Sequence, residues 1–265
     1  MKISLSNGSL LTILLVCIFS IVGIGCKQNT ANAPQQPKTT TAQKAKAKFQ
    51  FHHKVRKPFN GITPETPTLI LLHGYGSNED DLFGLAQHMS PEWLVVCPNA
   101  PIQIQDNNRH SWYPLNRNAD DWSYDAEAFI AIRDEISKYI DQVNNHFEVD
   151  KSKVVLGGFS QGAILSLATG LKYPEQISGI VSLSGQLYPE VKSDMATYQA
   201  LSNSKIFISH GLSDDVLPCE PMQQTAKELQ ENGLNVSAHW YEGRHSISGE
   251  NFRDLLKWLL QEYTS

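Results

Sequence analysis

The sequence predicts an α/β fold: a mostly parallel central sheet with helices on both faces and no separate lid domain. Three observations predict it. From Phe49 onward, short strand-like runs alternate with helical periods, the signature of a sheet wrapped by helices. Several of those runs are continuously apolar, as strands buried on both faces of a parallel sheet must be. One run, Lys153–Phe159, breaks into Gly158-Phe159-Ser160-Gln161-Gly162 and continues at once as an apolar helical pattern.

The strand-like runs, in order, are Phe49–Val55, Thr68–Leu72, Leu94–Cys97, Lys153–Phe159, Ile177–Leu183, Lys205–Ser209 and Val236–Tyr241. Between them Phe129, Ile130, Ile136, Ile140, Val143 and Phe147 mark one helix. Phe252, Leu255, Leu256, Leu259 and Leu260 make an i, i+3, i+4, i+7 stripe on the last. The stretch Pro101–Asp125 has no period and reads as a long loop, a kind of segment that binds something or moves. No repeat and no Pro/Ser-rich break follows residue 48, so residues 49–265 read as one catalytic domain.

Residues 1–48 read differently. Lys2 precedes an apolar run from Leu10 to Gly25, the length of a signal-peptide core and short for a membrane span. It closes at Gly23-Ile24-Gly25-Cys26, which resembles the lipobox of bacterial lipoproteins. That resemblance implies a signal peptide over residues 1–25, cleavage before Cys26 and lipidation of its thiol. An uncleaved anchor helix is the alternative, and either reading exports the protein and tethers it to a membrane of the cell envelope. Residues 27–48 hold no aromatic, no acid and no branched aliphatic residue. They cannot bury enough apolar area to order themselves, so 26–48 is expected to be a lipidated cysteine and a disordered tether reaching roughly 25 Å.

Charge follows the same division. Of the 22 Lys and Arg, six lie in residues 1–48, which hold no acid; 49–265 therefore carries 16 basic against 27 acidic residues, a net −11. Such a globule argues against nucleic-acid binding. Its two cysteines, Cys97 and Cys219, are too few for a disulfide framework and are expected to be free and buried.

The chemistry gathers around Ser160. Gly158 and Gly162 let the chain turn sharply between strand and helix. The serine then sits at a helix N-terminus, where unpaired N–H groups favour developing negative charge. A serine hydroxyl is a poor nucleophile until a base takes its proton and a third group orients the base. Strand–turn–helix nucleophiles find an acid and then a histidine downstream. Asp214 and Asp215 follow the strand Lys205–Ser209, and spacing does not separate them. Of the two later histidines, His239 alternates inside a strand and reads as structural. His245, in the loop Gly243-Arg244-His245-Ser246, is free to reach the turn. An oxyanion needs two N–H donors. Gln161 supplies one, and the glycine-rich loop His73-Gly74-Tyr75-Gly76 follows a strand and suits the other.

Taken together, Leu72-His73-Gly74-Tyr75-Gly76, Gly157-Gly158-Phe159-Ser160-Gln161-Gly162, His210-Gly211-Leu212-Ser213-Asp214 and Tyr241-Glu242-Gly243-Arg244-His245-Ser246 resemble the phospholipase/carboxylesterase family, over roughly residues 60–262. The resemblance implies an α/β-hydrolase fold, Ser160, Asp214 and His245 as a catalytic triad, and the Tyr75 and Gln161 amides as an oxyanion hole. It implies an acyl-enzyme and no metal or other cofactor. It also suggests an acyl pocket shaped by Trp112 and Leu115 in Ser111-Trp112-Tyr113-Pro114-Leu115, and by Leu187, with an aromatic core plug as the other reading of Trp112. Asp215 stands where many members have proline, and the leader departs from the cytosolic acyl-protein thioesterases of the family.

The expectation is a serine esterase acting on short- to medium-chain carboxylic esters, or thioesters, with a small-molecule ester as its partner. Only 54 residues separate Ser160 from Asp214 and 31 separate Asp214 from His245, all of them taken up by sheet and helices. An exported peptidase of the same fold and a non-catalytic surface-binding lipoprotein are the alternatives. Oligomeric state is not legible.

Overall fold

A computed structural model describes residues 48–105, 108–117 and 122–264. The expected signal peptide (1–25), Cys26 and the tether up to residue 47 lie outside the described residues. In chain order the elements are β1 (His53–Arg56), β2 (Thr68–Leu72), α1 (Glu79–Ala86), β3 (Leu94–Pro98), β4 (Ile102–Gln105), β5 (Arg109–Ser111), β6 (Leu115–Arg117) and β7 (Trp122–Tyr124). They continue with α2 (Ala126–Phe147), β8 (Val154–Phe159), α3 (Gln161–Lys172), β9 (Gly179–Leu183), α4 (Pro189–Asp194), β10 (Lys205–Gly211), α5 (Cys219–Glu231), β11 (Asn235–Tyr241) and α6 (Gly249–Tyr263).

Seven strands form the central sheet in the order β1-β3-β2-β8-β9-β10-β11. β1 runs antiparallel to β3; every other neighbouring pair is parallel. The period-2 rule divides the core cleanly. Leu69, Leu71, Val95, Val155, Val181 and Phe207 face one side and meet Leu82 of α1 and Leu255, Trp258 and Leu259 of α6. Ile70, Leu72, Val96, Leu156, Ile180 and Ile208 face the other and meet α2, α3 and α5. Of the α6 stripe, Leu255 and Leu259 are fully buried and contribute roughly 1.5–3 kcal/mol each, whereas Leu260 is exposed. Among the described residues no helix is long and apolar enough to cross a membrane.

Strand boundaries differ from expectation at the first strand. Only His53–Arg56 pairs; Phe49 instead packs on Tyr139, His146 and Phe147, and Phe51 on Trp112 and Tyr139. Their alternation reflects a coat over α2 rather than a sheet face. Pro101–Asp125 is likewise not a plain loop. It holds two small antiparallel pairs, β4 with β5 and β6 with β7, whose strands of three or four residues are too short to display a period. Cys97 and Cys219 are free and buried, as expected.

The sheet edge that carries Ser160 is set by how tightly the start of α3 meets the end of β2. A Cβ on Gly162 would sit well inside van der Waals contact of the Leu72 carbonyl oxygen, and 2.7 Å from that of His73. Backbone on both sides leaves nothing flexible to give way. Gly162→Ala should therefore destabilise the fold by about 2 kcal/mol or more, read as a lowered urea midpoint. A midpoint within error of wild type would contradict the contact.

Candidate active site

Ser160 lies between β8 and α3 with φ 53° and ψ −117°, a conformation that L-residues adopt at a cost. The surrounding bonds over-determine it. Its N–H donates to the Leu183 carbonyl (3.0 Å), and its carbonyl accepts from Ile164 (3.0 Å) in the first turn of α3. The hydroxyl is left pointing out of the turn.

His245 meets it there. Nε2 of His245 lies 2.8 Å from Ser160 Oγ, and Nδ1 lies 2.7 Å from Asp214 Oδ2. The Asp214 side chain is wholly buried, and that of His245 is 14 % exposed. Oδ1 of Asp214 accepts the backbone N–H groups of Val216 and Leu217, each at 2.9 Å. Nδ1 of His245 therefore carries the proton and Nε2 is the acceptor, the tautomer a base toward the hydroxyl must have. Asp215 points elsewhere. It is exposed and pairs with Arg244, whose guanidinium holds its carboxyl below the usual range. His239, expected to be structural, stacks on Phe207 and hydrogen-bonds Ser237.

The two loops are stitched to one another by backbone. Leu212 N–H donates to the Tyr241 carbonyl and Ser213 N–H to that of Gly243, both at 2.9 Å. Gly211 makes that approach possible, since a Cβ there would lie 2.5 Å from the Arg244 carbonyl oxygen. The Tyr241 hydroxyl donates to the Ser246 carbonyl and braces the histidine loop from below.

The glycine loop after β2 comes to the same place. A Cβ on Gly74 would lie 3.4 Å from that of Ser160. His73 is buried; its Nε2 accepts the Ala100 N–H (3.1 Å), so Nδ1 carries the proton and donates to the Gly74 carbonyl (2.8 Å). Because C=O and N–H of a trans peptide point opposite ways, fixing the Gly74 carbonyl also fixes the direction of the Tyr75 N–H. Gly76 N–H bonds the His110 carbonyl (2.8 Å), tying this loop to β5.

Gln161 does more than begin α3. Its buried side chain accepts the Trp112 N–H (2.9 Å) and donates to the Tyr113 carbonyl (3.0 Å) and Ser111 Oγ (3.1 Å). One amide thus pins the segment Ser111–Tyr113 onto the turn at Ser160.

A cavity of about 190 Å³ opens on Ser160 and His245, walled by Gly74, Tyr75, Tyr113, Leu115, Phe159, Gln161, Ile164, Tyr188, Val216 and Leu217. Leu115 lines it. Trp112 and Leu187 do not. The Trp112 ring turns into the core beside Phe51, its Nε1 donating to the His73 carbonyl (2.9 Å), and Leu187 packs against the same core. Their neighbours Tyr113 and Tyr188 form the wall instead, hydroxyl to hydroxyl at 3.1 Å, with Tyr124 stacked on Tyr188 and bonded to Glu190. The aromatic residues at 112, 113 and 188 were the available signal; which of two adjacent side chains faces the cavity depends on the core behind them.

The phospholipase/carboxylesterase family model matches residues 56–262. The chain is 33% identical over 230 residues to acyl-protein thioesterase 1 of Mycosarcoma maydis, covering 77% of this chain and 94% of that one. It is 30% identical over 223 residues to acyl-protein thioesterase 1 of Candida albicans, covering 77% and 95%. Its fold is similar to the Bacillus cereus carboxylesterase, with a TM-score of 0.68 at 21% identity over 81% of this chain and 95% of that one. It is similar also to Zea mays acyl-protein thioesterase 2, with 0.64 at 22% over 80% and 99%.

His73 and His210 are both buried, and burial is the main cause that lowers their pKa values. In the unfolded chain they protonate near pH 6.5; in the folded chain they stay neutral to lower pH. The unfolded state thus binds more protons just below about pH 6.5, and stability must fall as pH drops through that window. The lowered carboxyls of Asp194 and Asp215 act only below about pH 4. Urea midpoints should therefore decrease between about pH 7.5 and 5.5, and a flat or rising midpoint would contradict neutral burial of these rings.

Proposed function

The chain belongs to the phospholipase/carboxylesterase family of α/β-hydrolases, and from that premise we propose that it is a serine esterase of the cell envelope. It would cleave short- to medium-chain carboxylic esters or thioesters through an acyl-enzyme. One observation carries the mechanism: the unbroken relay from Ser160 Oγ through His245 to Asp214, at 2.8 and 2.7 Å.

His245 Nε2 takes the Ser160 proton as Oγ attacks the acyl carbonyl. Asp214 keeps the imidazole in the tautomer that can accept and stabilises the imidazolium that results. The Tyr75 and Gln161 N–H groups receive the oxyanion. His245 then gives its proton to the departing alcohol or thiol. Water, activated by the same base, releases the acid and restores Ser160.

The acyl group would lie against Leu115, Ile164, Tyr113 and Tyr188, a mostly apolar wall. A cavity of about 190 Å³ suits a short or medium chain better than a long one. Thioesters enter the proposal because the curated relatives are named acyl-protein thioesterases. The motif Gly23-Ile24-Gly25-Cys26 behind an apolar run supports lipid anchoring at Cys26.

Turnover of p-nitrophenyl acyl esters and matched acyl thioesters should fall at least about a thousandfold in Ser160→Ala, and the variant should no longer react with a fluorophosphonate. Activity surviving within about tenfold would remove the assignment. For the anchor, cells fed a fatty-acid analogue should label the wild-type chain and not Cys26→Ser. Equal labelling of both would exclude a lipidated Cys26.

A further inference from the structure

His210 closes β10, and none of its side chain reaches solvent. Its Nε2 stands 2.8 Å from the Leu217 carbonyl oxygen and 3.1 Å from Asp214 Oδ2. Both neighbours are acceptors, so Nε2 carries the proton; it donates to the Leu217 carbonyl with Asp214 Oδ2 beside it. Nδ1 is then a bare lone pair, buried without a partner among the described residues. A second proton there would meet no acceptor, and burial correspondingly lowers the pKa of the ring. His210 is a fixed, neutral donor.

That donor completes a ring around one carboxylate. Oδ1 of Asp214 accepts from the Val216 and Leu217 amides, and Oδ2 accepts from His245 with His210 Nε2 3.1 Å away. Leu217 belongs to both halves, donating its N–H to Oδ1 while its carbonyl receives His210. The carboxylate therefore cannot rotate away from His245 without breaking bonds on both oxygens.

Resting on the reading of Ser160, His245 and Asp214 as the reacting relay, we propose that His210 is a positioning residue for the hydrolysis. Its Nε2–H locks the Asp214 carboxylate toward His245 and takes up part of the acceptor strength of Oδ2. Without it, the freed oxygen would hold protonated His245 more tightly, raising the pH at which the base becomes available.

The other groups near the pair leave this role to His210. The Cys219 thiol at the start of α5 and the Tyr241 phenol at the end of β11 feel the Asp214 charge, and each is held neutral by burial. Asp215 acts on His245 from its own loop, but it is exposed and paired with Arg244, a pair that substitution of His210 does not touch.

The test is a series at one position. His210→Phe fills the space and offers no donor; His210→Gln places an amide N–H near the former Nε2; His210→Asn is polar but too short. Phe and Asn should lower kcat roughly ten- to hundredfold, the scale of one hydrogen bond to a charged group. KM should stay within about twofold, because the substrate is not touched. The acid limb of the kcat/KM profile should move to higher pH in both. Gln should restore most of the rate and the wild-type limb. If Phe does not fold, the contrast between Asn and Gln decides alone. An acid limb identical across the series, or Gln as impaired as Phe and Asn, would reduce His210 to packing and overturn the proposal. Turnover that survives Ser160→Ala would remove the underlying reading, and this proposal with it; a silent His210 series in a Ser160-dependent enzyme removes the proposal alone.

Discussion

The contact on which the rest depends is backbone against backbone, where Gly162 meets the Leu72 carbonyl. It brings the first turn of α3 to the end of β2, and the chain between β8 and α3 passes through a positive φ at Ser160. The serine hydroxyl then has one direction to point, and the glycine loop after β2 lies beside it by necessity. Candidate nucleophile, helix N-terminus and His73–Gly76 loop are thus consequences of one close approach, made possible by the absence of a Cβ.

The candidate acid and base, Asp214 and His245, obey a similar economy. Both follow parallel strands, β10 and β11, which end side by side, Gly211 opposite Tyr241. The register of that pair decides that the aspartate and histidine loops meet. Backbone bonds from Leu212 and Ser213 then lock one to the other. What remains for side chains is the last ångström, and there Asp214 is surrounded by donors on both oxygens.

The sheet was legible because its strands are apolar on both faces: Thr68–Leu72 reads as a strand with no tertiary context, and it is one. The candidate serine and histidine were legible from their order along the chain, whereas Asp214 was separated from Asp215 only by the family resemblance. Legibility failed where a residue's partner is remote in sequence. Phe49 and Phe51 alternate like a sheet face but coat α2. Trp112 and Tyr113 are adjacent and aromatic, and only the packing of Phe51 behind them turns the first inward and leaves the second on the cavity. His210 gave no signal beyond its place in a motif, because its meaning lies in two contacts made by a loop that folds back on it.

The two small strand pairs between β3 and α2 contribute no rung to the central sheet. They and the link between them nevertheless supply Leu115 and Tyr113 to the cavity wall, and the Gln161 amide clips that link to the serine turn. Part of the cavity wall is therefore built from chain outside the central sheet and joined to the serine turn by a small clasp. A change of side chain in these hairpins reshapes that part of the wall and touches none of the contacts among Ser160, His245 and Asp214. One sheet can in this way come to serve many different esters.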